Sequence, residues 1–363
     1  MNIFILLPDL RGGGAERVNL DLAYEFARAG HDVEFVLMQA RGELLEEARV
    51  SFPVVDLAAP RTRAVPRALA RYLRHRRPDA LLAAMWPLTV VAPLTQRLSG
   101  HRCKVLVSEH GILSAQYHEW GAAHRLLLRA SMALCYRLTD HRVGVSSGVV
   151  QDIAALSGLR PDTFDVIHNP VPPHSDPIVS VLRHAETLWS APAGARILTV
   201  GTMKAVKNHP LLLRAFARLD RPDARLMFVG DGKGRDALLS LAHELDVADR
   251  VILAGFHADP TPFYKTADLF ALSSDYEGFG NVIVEAMAYG TPVVSTDCPS
   301  GPGEILEGGQ HGRLVPVGDV EAMAHALAQT LDSPSPPESL KARAAEFHPA
   351  KAAKAYLDLL GMQ

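Results

Sequence analysis

Short apolar runs alternate with helix-like segments along almost the whole chain, and this alternation limits the fold more than any other feature. In the first half the runs lie at residues 3–7, 33–38, 80–84, 105–108 and 143–145. In the second half they lie at residues 197–200, 226–229, 251–254, 269–272, 292–296 and 314–317. Strands that alternate with helices form parallel sheets covered by helices on both faces. The sequence therefore predicts an α/β protein made of doubly wound sheets.

The length of 363 residues suits two domains better than one. A proline-rich segment at residues 171–195 is the predicted linker between them. It separates one Rossmann-like domain, residues 1–170, from a second, residues 196–345, and residues 346–363 form a C-terminal helix expected to cross back to the first domain. Ligands of such folds bind at the carboxyl ends of the strands, so we expect an active-site cleft between the two domains.

Composition excludes several other classes of protein. The net charge is -3, which gives no global signal for nucleic acid, although Lys and Arg outnumber Asp and Glu within residues 1–170. Cys103, Cys135 and Cys298 are widely spaced and form no C-x-x-C pair, which is typical of a reducing cytosol. The N-terminus is predicted to be a strand and not a signal peptide, and no apolar run is long enough to span a bilayer. We therefore expect a cytoplasmic protein.

A glycine-rich turn that carries two glutamates is the best sequence indication of function. Gly278 and Gly280 allow close approach of a ligand to the backbone, and Asn281 is suited to cap the helix that follows. The start of that helix favours a phosphate group, Glu285 lies one turn further on within reach of a ribose, and Glu277 lies just before the helix, within reach of a second sugar. The alternative is that both glutamates are only solvated, but the buried strand pattern around this helix favours a ligand.

Three further candidates follow predicted strands. The glycines at residues 12–14 follow the first strand, and Lys204 and Lys207 follow the first strand of the second domain, where lysines can neutralise a leaving diphosphate. His110 ends a strand of the first domain and could hydrogen-bond a substrate hydroxyl. Neither the loop at residues 12–14 nor the later loop Gly230-Asp-Gly-Lys-Gly-Arg has the G-x-G-x-x-G spacing of a dinucleotide site. A tight turn or a solvated loop would explain the residues that follow these strands equally well in isolation. The sequence has no H-E-x-x-H, cysteine pair or Asp-x-Asp triplet, so it predicts no metal site.

Arginines are dense between Arg61 and Arg77, with Leu69 and Leu73 among the apolar residues between them. This pattern predicts a basic amphipathic helix of the kind that lies on anionic membranes. Trp120 and the leucines that follow it could extend the same surface. The alternative is a solvated arginine-rich helix that packs into the core through Leu69 and Leu73.

Five motifs together resemble those of glycosyltransferase family 4, in the same order and over nearly the whole chain. They are Gly12-Gly-Gly-Ala-Glu-Arg, Ser108-Glu-His-Gly, Val200-Gly-Thr-Met-Lys-Ala-Val-Lys-Asn, Val229-Gly-Asp-Gly and Glu277-Gly-Phe-Gly-Asn-Val-Ile-Val-Glu. The resemblance implies the GT-B fold, in which two Rossmann-like domains flank an active-site cleft. It also implies transfer of a sugar from a nucleotide donor with retention at the anomeric carbon, without a metal or other cofactor.

The resemblance also assigns roles to individual residues. It implies that Glu285 holds the donor ribose, Glu277 the donor sugar hydroxyls and Lys207 the leaving diphosphate, and that His110 lies near the reacting sugar. The catalytic residues are then His110, Lys207 and Glu277. The donor-binding residues are Gly13, Gly14, Lys204, Lys207, Asp231, Gly278, Phe279, Gly280, Asn281, Val282 and Glu285. The family often has an arginine where this chain has Thr202, which leaves Lys204 as its substitute.

These expectations define one main function and several alternatives. The main one is a retaining glycosyltransferase at the inner face of the plasma membrane that moves a sugar, from UDP in preference to GDP or ADP, to a lipid-linked or polysaccharide acceptor in envelope glycan assembly. The first domain then binds the acceptor and the second the nucleotide sugar. The alternatives are a GT-B epimerase, which would turn over without an acceptor, and a noncatalytic protein that binds nucleotide sugars. Donor sugar, acceptor, linkage and oligomeric state are not readable from the sequence.

Overall fold

The computed structural model describes residues 1–172, 177–190 and 194–362 and divides the chain into two compact units. The first unit is Met1–Pro172 together with Phe347–Gln363, and the second is Pro173–Glu346. The C-terminal helix is therefore part of the first unit. Just before this helix, the carbonyl of Phe347 accepts a hydrogen bond from the N–H of Val171.

The strands of both units pair in parallel. The strands of the first unit are β1 (Asn2–Leu7), β2 (Asp32–Leu37), β3 (Val54–Asp56), β4 (Ala80–Ala84), β5 (Lys104–Glu109), β6 (His141–Gly144) and β7 (Asp165–Val166). Those of the second are β8 (Arg196–Val200), β9 (Arg225–Val229), β10 (Val251–Gly255), β11 (Leu269–Leu272), β12 (Val293–Thr296) and β13 (Arg313–Val315). The sheet orders are β3-β2-β1-β4-β5-β6-β7 and β10-β9-β8-β11-β12-β13. The predicted α/β class with doubly wound sheets is thus confirmed.

Helices cover both faces of each sheet. In chain order they are α1 (Gly14–Arg28), α2 (Leu45–Ser51), α3 (Val65–Arg76), α4 (Leu88–Ser99), α5 (Leu113–Gln116), α6 (Ala122–Cys135), α7 (Ser147–Ser157), α8 (Val179–Leu188), α9 (His209–Ala217), α10 (Arg235–Glu244), α11 (Thr261–Thr266), α12 (Asn281–Ala288), α13 (Pro302–Ile305), α14 (Val320–Asp332), α15 (Pro337–Ala344) and α16 (Pro349–Leu360). In both sheets the strand order reverses once, beside β1 in the first and beside β8 in the second. Ligands of open parallel sheets bind at this reversal, outside the carboxyl ends of the strands.

Each predicted apolar run forms a strand, because runs that are buried on both faces contain few polar residues. The strands that the sequence missed are β3 and β7, which lie at the two edges of the first sheet. They have only three and two residues, too few for a pattern to emerge. Within the predicted linker, α8 contacts α11 and is followed by Trp189, whose indole N–H donates to Thr266 at 2.9 Å. Residues 173–176 and 191–193 of that linker lie outside the described residues.

The basic helix predicted near Arg67 is α3, and its apolar stripe is not exposed. Val65, Leu69 and Leu73 are fully buried in the first unit, while the arginines of the helix point outward. Arg76 pairs with the buried carboxylate of Glu34 at 2.8 Å. The helix therefore packs as an element of the core with a cationic outer surface. No helix in the described part of the chain is both long and apolar enough to cross a membrane.

Candidate active site

The loops that follow β8 and β11 lie side by side in the second unit, because these two strands are neighbours in the sheet. Their register pairs Leu269 with Ile197 and Phe270 with Leu198, so both strands end at the same edge. The first loop carries Lys204 and Lys207, and the second carries Glu277. Residues that are 70 positions apart in sequence are thereby brought into contact.

The contact is an ion pair between Lys207 and Glu277. Lys207 Nζ lies 2.6 Å from Glu277 Oε1, which also accepts a hydrogen bond of 2.6 Å from the hydroxyl of Ser274. The side chains are only 19% and 13% exposed. A pair at this depth is less screened by solvent than a surface salt bridge, and it holds the ammonium group in a defined position.

Further hydrogen bonds fix the backbone on either side of this pair. The side-chain amide of Asn208 donates to Asp275 Oδ1 at 2.7 Å, and the backbone N–H of Asp275 donates to the carbonyl of Val206 at 2.8 Å. The hydroxyl of Ser273 donates to the carbonyl of Lys207 at 2.9 Å. The two loops therefore form one hydrogen-bonded unit, and the lysine is held from its backbone as well as from its side chain.

The glycine-rich turn delivers the chain from Glu277 into α12. Gly280 is the N-cap residue with φ +104°, a conformation that side chains rarely adopt, and α12 begins at Asn281. The expectation that Asn281 caps the helix was wrong, because the glycine takes that position. Phe279 is 2% exposed, and its backbone packs so closely on Gly301 that a Cβ there would lie 1.8 Å from the Phe279 carbonyl oxygen. Since the Phe279 side chain is inside the protein, only its backbone is suited to meet a ligand.

Glu285, in the second turn of α12, is half-buried and accepts a hydrogen bond of 2.7 Å from the hydroxyl of Tyr264. Tyr264 is buried on α11 and stacks on Tyr289 with a ring centroid distance of 6.3 Å. Burial, together with the neighbouring carboxylate, raises the pKa of Tyr264 well above its usual value, so the hydroxyl stays a donor. Sequence analysis missed Tyr264, because no motif links it to a glutamate 21 residues away.

The loop that contains Asp231 packs against the loop after β8. The carboxylate of Asp231 accepts a bond of 2.7 Å from the N–H of Gly232, and its carbonyl accepts one of 3.0 Å from the N–H of Met203. A Cβ on Gly230 would lie 2.0 Å from the carbonyl oxygen of Gly201, so this glycine is needed for the close approach of the two loops. Lys204 and Asp231 are both exposed at the surface they form.

In the first unit, the predicted residues also lie at the carboxyl edge of the sheet. Gly13 and Gly14 are exposed between β1 and α1, with Gly13 as the N-cap and Gly14 as the first helical residue. His110 follows β5, and its Nε2 lies 3.1 Å from the hydroxyl of Ser108. That hydroxyl is in turn 2.9 Å from the hydroxyl of Tyr356 on α16. The C-terminal helix thus supports the loop of His110, a contribution that the sequence did not reveal.

Burial decides the charge states in this region. It lowers the pKa of His110 to about 4, against the opposing effect of a hydrogen bond with Asn169, so the imidazole is neutral near pH 7. Burial also raises the pKa of Glu109 to about 7. The Glu109 carboxyl group accepts hydrogen bonds from the hydroxyls of Thr89 and Tyr136 at 2.6 and 2.7 Å and from the N–H of Trp86 at 3.1 Å. These bonds hold the loop after β4 against β5.

The structure therefore brings Lys207 and Glu277 into contact in the second unit and places His110, Gly13 and Gly14 at one sheet edge in the first. The roles given to these residues, and to the other predicted donor-binding residues, stay predictions. Among the described residues there is no cluster of three or more His, Cys, Asp or Glu side chains suited to hold a metal ion.

Comparison with known families finds a match in each half of the chain. Residues 12–175 match the model described as Glycosyltransferase Family 4, and residues 191–347 match the model described as Glycosyl transferases group 1. The two matches lie one after the other and leave few residues unmatched. They support a glycosyltransferase, as the motifs predicted.

Curated relatives are similar over part of their length. An N-acetylgalactosaminyltransferase of Campylobacter jejuni, named for the acceptor N-acetylgalactosamine-N,N'-diacetylbacillosaminyl-diphospho-undecaprenol, is 29% identical over 66% of this chain and 63% of its own. A lipopolysaccharide core biosynthesis glycosyltransferase of Rhizobium meliloti, LpsE, is 40% identical over 41% of this chain and 42% of its own. The chain thus aligns with less than two thirds of either relative.

Solved structures match nearly the whole chain. The Anabaena protein HepE in complex with UDP-glucose superimposes with a TM-score of 0.85 at 21% identity and covers 99% of each chain. The apo lipopolysaccharide outer core galactosyltransferase WaaB superimposes with a TM-score of 0.77 at 20% identity, again over 99% of each chain. At these identities the likeness shows the fold, and the predicted two-domain GT-B fold is confirmed.

Proposed function

We propose that this chain, a glycosyltransferase of the GT-B fold, transfers a sugar from a UDP-sugar to a lipid-linked or polysaccharide acceptor in cell-envelope glycan biosynthesis. The reaction retains the anomeric configuration and needs no metal. The second unit binds the nucleotide sugar, the first binds the acceptor, and the protein works in the cytoplasm at the inner face of the plasma membrane.

The observation that carries the proposal is the Lys207–Glu277 pair at 2.6 Å, held by hydrogen bonds beside the glycine turn and the start of α12. A diphosphate that leaves the sugar develops negative charge. A fixed ammonium group and the amides of a helix N-terminus are already oriented to stabilise that charge. A carboxylate in the same place is suited to accept hydrogen bonds from sugar hydroxyls.

Lys207 and Lys204 supply the positive charge that a metal ion supplies elsewhere, which supports transfer without a metal. Lys207 is half-buried and paired with Glu277 while Lys204 is exposed, so Lys207 is the better preorganised of the two. Removal of one preorganised group of this kind typically costs about 10² to 10³ in kcat. We assign Lys207 to the leaving diphosphate and Glu285, steadied by Tyr264, to the donor ribose.

The proposed mechanism uses no enzymic nucleophile. The bond between the anomeric carbon and the diphosphate breaks, the acceptor hydroxyl attacks from the same face, and its proton passes to the departing phosphate oxygen. His110 then acts as a neutral hydrogen-bonding group beside the sugar, because its lowered pKa of about 4 makes a cationic imidazolium scarce at neutral pH. Its neutral state suits an oxocarbenium-like sugar, which a neighbouring cation would destabilise.

Similar proteins supply the support for donor and acceptor class. HepE was solved with UDP, with UDP and glucose, and with UDP-glucose, which favours a uridine donor here. The acceptor in the name of the Campylobacter relative is a diphospho-undecaprenol, and the Rhizobium relative is named for lipopolysaccharide core biosynthesis. An acceptor of this kind lies in a membrane, and the exposed arginines between Arg61 and Arg77 are suited to meet its anionic surface.

Calorimetric titration of the full-length protein with UDP, GDP, ADP and NADH tests the donor assignment. We expect UDP to bind best and Glu285→Ala to abolish most of that binding. Glu244→Ala, an exposed glutamate of the same unit, is the matched control and should bind as the unsubstituted protein does. Binding of NADH alone, or UDP binding that does not depend on Glu285, would contradict the proposal.

A further inference from the structure

Three aromatic rings lie together at the carboxyl edge of the first sheet. Trp86 is the second residue after β4, and Tyr117 and Trp120 lie between α5 and α6. The ring of Trp86 contacts those of Tyr117 and Trp120 at centroid distances of 5.2 and 5.7 Å, and the latter two rings are 4.3 Å apart. These three residues form an aromatic cluster to which the proposed function assigns no role.

Two connections place the aromatic cluster beside His110. The backbone N–H of Trp86 donates to the carboxyl group of Glu109, the residue before His110, at 3.1 Å. The side-chain amide of Gln116 donates to the hydroxyl of Tyr117 at 3.3 Å, and its Oε1 lies 3.5 Å from the point that a Cβ on the glycine after His110 would occupy. The cluster and Gln116 therefore lie next to the loop that carries His110.

The rings are fixed in position but are not buried as core residues are. Trp86 Nε1 donates to the hydroxyl of Ser131 on α6 at 3.4 Å, and the guanidinium group of Arg125 donates to the carbonyl of Trp120. All three rings of the cluster belong to half-buried residues, whereas the third tryptophan of the chain, Trp189, is fully buried. Rings that are anchored and still reach the surface are suited to contact a ligand.

The backbone just before Trp86 is in an unfavourable conformation. Met85 has φ +67°, in the left-handed region that side chains rarely adopt, and its N–H donates to the carbonyl of Ser108 at 3.1 Å. The Glu109 carboxyl group that accepts from Trp86 is itself held by two buried hydroxyl groups at 2.6 and 2.7 Å. Such conformations persist where the surrounding structure holds them, and they cluster at ligand-binding sites and active sites. The backbone at Trp86 therefore points to a functional role for this ring.

The chemistry of this surface matches a sugar ring. One face of a pyranose presents C–H groups, which the electron-rich face of an aromatic ring attracts, and its rim presents hydroxyl groups, which need hydrogen-bonding partners. The cluster supplies the rings, and the amide of Gln116 supplies a group that both donates and accepts. A phosphate group would instead be bound by fixed cations, and the guanidinium group of Arg125 donates to the backbone carbonyls of His118 and Trp120.

We propose that the aromatic cluster and Gln116 bind the terminal sugar of the acceptor, with the C–H face of its pyranose ring against Trp120 and Trp86 and its hydroxyl groups at Gln116. This inference rests on the proposed function and narrows it, because it selects a glycan acceptor over a lipid phosphate that carries no sugar. The reacting hydroxyl then belongs to a sugar held beside His110. Another glycosyl-transfer reaction must supply such an acceptor, so this protein extends a glycan and does not begin one.

Binding of simple glycosides to the full-length protein tests this site. The probes are the methyl glycosides of glucose, galactose, N-acetylglucosamine and N-acetylgalactosamine, each titrated in the presence of saturating UDP. Calorimetry measures the affinity, and tryptophan emission reports contact with the rings, since Trp189 is buried in the second unit and should not respond. We expect at least one glycoside to bind and to change the emission.

Substitutions within the site should weaken the binding of that glycoside. Trp120→Ala should weaken it about tenfold and Gln116→Ala about fivefold, because the first removes a stacking face and the second a hydrogen bond. Trp120→Phe keeps an aromatic face and should keep most of the affinity. Leu127→Ala is the matched control, since it removes a side chain that is 58% exposed on α6 and outside the cluster, and it should bind as the unsubstituted protein does.

UDP titration of every variant separates this inference from the proposed function. All the variants should bind UDP as the unsubstituted protein does, because the nucleotide sugar is assigned to the second unit. Failure of the unsubstituted protein to bind UDP would contradict the proposed function itself. Binding of UDP without binding of any of the glycosides would contradict only the inference drawn from the aromatic cluster.

Two further results would also overturn the inference. The first is that Trp120→Ala binds the glycoside as tightly as Leu127→Ala does, which would leave the cluster with a structural role alone. The second is that the glycosides leave the tryptophan emission unchanged while vesicles of phosphatidylglycerol change it, which would identify the cluster as a lipid contact.

Discussion

The carboxyl edges of the two sheets hold their functional candidates in opposite electrostatic states. In the second unit, Lys207 and Glu277 form a charged pair that remains partly open to solvent. In the first unit, burial lowers the pKa of His110 to about 4, so the imidazole is neutral at pH 7, and raises that of Glu109 to about 7, so this carboxyl group is about half protonated there. One edge therefore holds a fixed ion pair, and the other holds a neutral imidazole.

This difference suits a division of labour in sugar transfer. Charge that appears on a leaving diphosphate is stabilised by a fixed cation, whereas a neutral sugar acceptor needs oriented hydrogen bonds and no net charge. The comparison therefore predicts that substitutions at the second edge reduce the chemical step. Substitutions at the first edge should act on acceptor binding and on stability.

The largest effect is expected for Lys207→Ala. Loss of the fixed ammonium group should reduce kcat by about 10² to 10³, because its interaction strengthens as the diphosphate departs, while UDP affinity changes much less. Steady-state transfer kinetics together with calorimetry measure both quantities. Lys204→Ala, at the exposed lysine of the same loop, is the control and should change kcat far less. An unchanged kcat in Lys207→Ala would show that the ammonium group of Lys207 does not stabilise the departing diphosphate.

The sequence predicted most of the second edge because its parts are contiguous. The turn from Glu277 to Glu285 lies within one segment, and Lys207 follows a strand whose apolar pattern is unambiguous. The partners that complete the site come from elsewhere in the chain. Tyr264 reaches Glu285 from α11, and Tyr356 reaches Ser108 from 248 residues away, so only tertiary packing pairs them.

For the basic helix, the sequence predicted the helix but not what its apolar stripe contacts. Periodicity correctly predicted an amphipathic helix near Arg67, but periodicity alone cannot say whether the apolar stripe meets lipid or the protein core. In the structure Leu69 and Leu73 are buried, and the exposed leucines lie on α6. On α6 three apolar residues, Leu126, Leu127 and Leu128, are consecutive, so burial of one leaves the others exposed and the amphipathic pattern is weak.

An intermediate effect is expected for the protonation of His209, which should lower the free energy of unfolding of the second unit. This residue begins α9 beside Lys207, is 6% exposed, and neither ring nitrogen has a hydrogen-bond partner among the described residues. Burial, with a smaller contribution from the Lys207 charge, lowers its pKa to about 4. Because the unfolded state binds this proton more tightly, stability is lost as pH falls below about 6.5 towards 4, by roughly 2 kcal/mol at pH 5.

In the first unit, burial also lowers the pKa of His110 and of His31, but the raised pKa of Glu109 acts in the opposite direction. The raised pKa of Glu109 adds stability as pH falls from about 7 to 4.5, which offsets part of the histidine effect. We therefore expect the second unit to be the more acid-sensitive one. Hydrogen exchange measured for each unit at pH 5 and pH 7 tests this difference.

His209→Leu should remove most of the acid sensitivity of the second unit, since an apolar side chain of similar size has no proton to bind. The exposed His243→Leu in the same unit is the control and should leave the pH dependence unchanged. Two results would contradict this prediction. The second unit could keep its acid sensitivity in His209→Leu, or the first unit could prove equally acid-sensitive. Either result would show that the two units do not differ in the pH dependence of their stability for the reason given.

The smallest effect is expected for Tyr264→Phe. This substitution tests whether the charged edge also depends on a hydrogen bond from a neutral hydroxyl. The substitution keeps the buried ring and removes only the hydroxyl that donates to Glu285 at 2.7 Å. Loss of about 1 kcal/mol should weaken UDP binding roughly fivefold. Because Glu285 is proposed to hold the ribose, binding of 2′-deoxy-UDP and 3′-deoxy-UDP should weaken less than binding of UDP. A purely structural loss would weaken all three alike.

Tyr289→Phe provides the matched control for that measurement. Tyr289 stacks on Tyr264, and its hydroxyl bonds to Thr261 at 3.3 Å, so its removal perturbs the same aromatic pair without removing the Tyr264 hydroxyl from Glu285. We expect UDP affinity and ribose discrimination close to those of the unsubstituted protein. If both variants behave alike, the carboxylate of Glu285 is oriented by its own helix, and the charged edge needs no hydroxyl partner of the kind that supports His110 in the first unit.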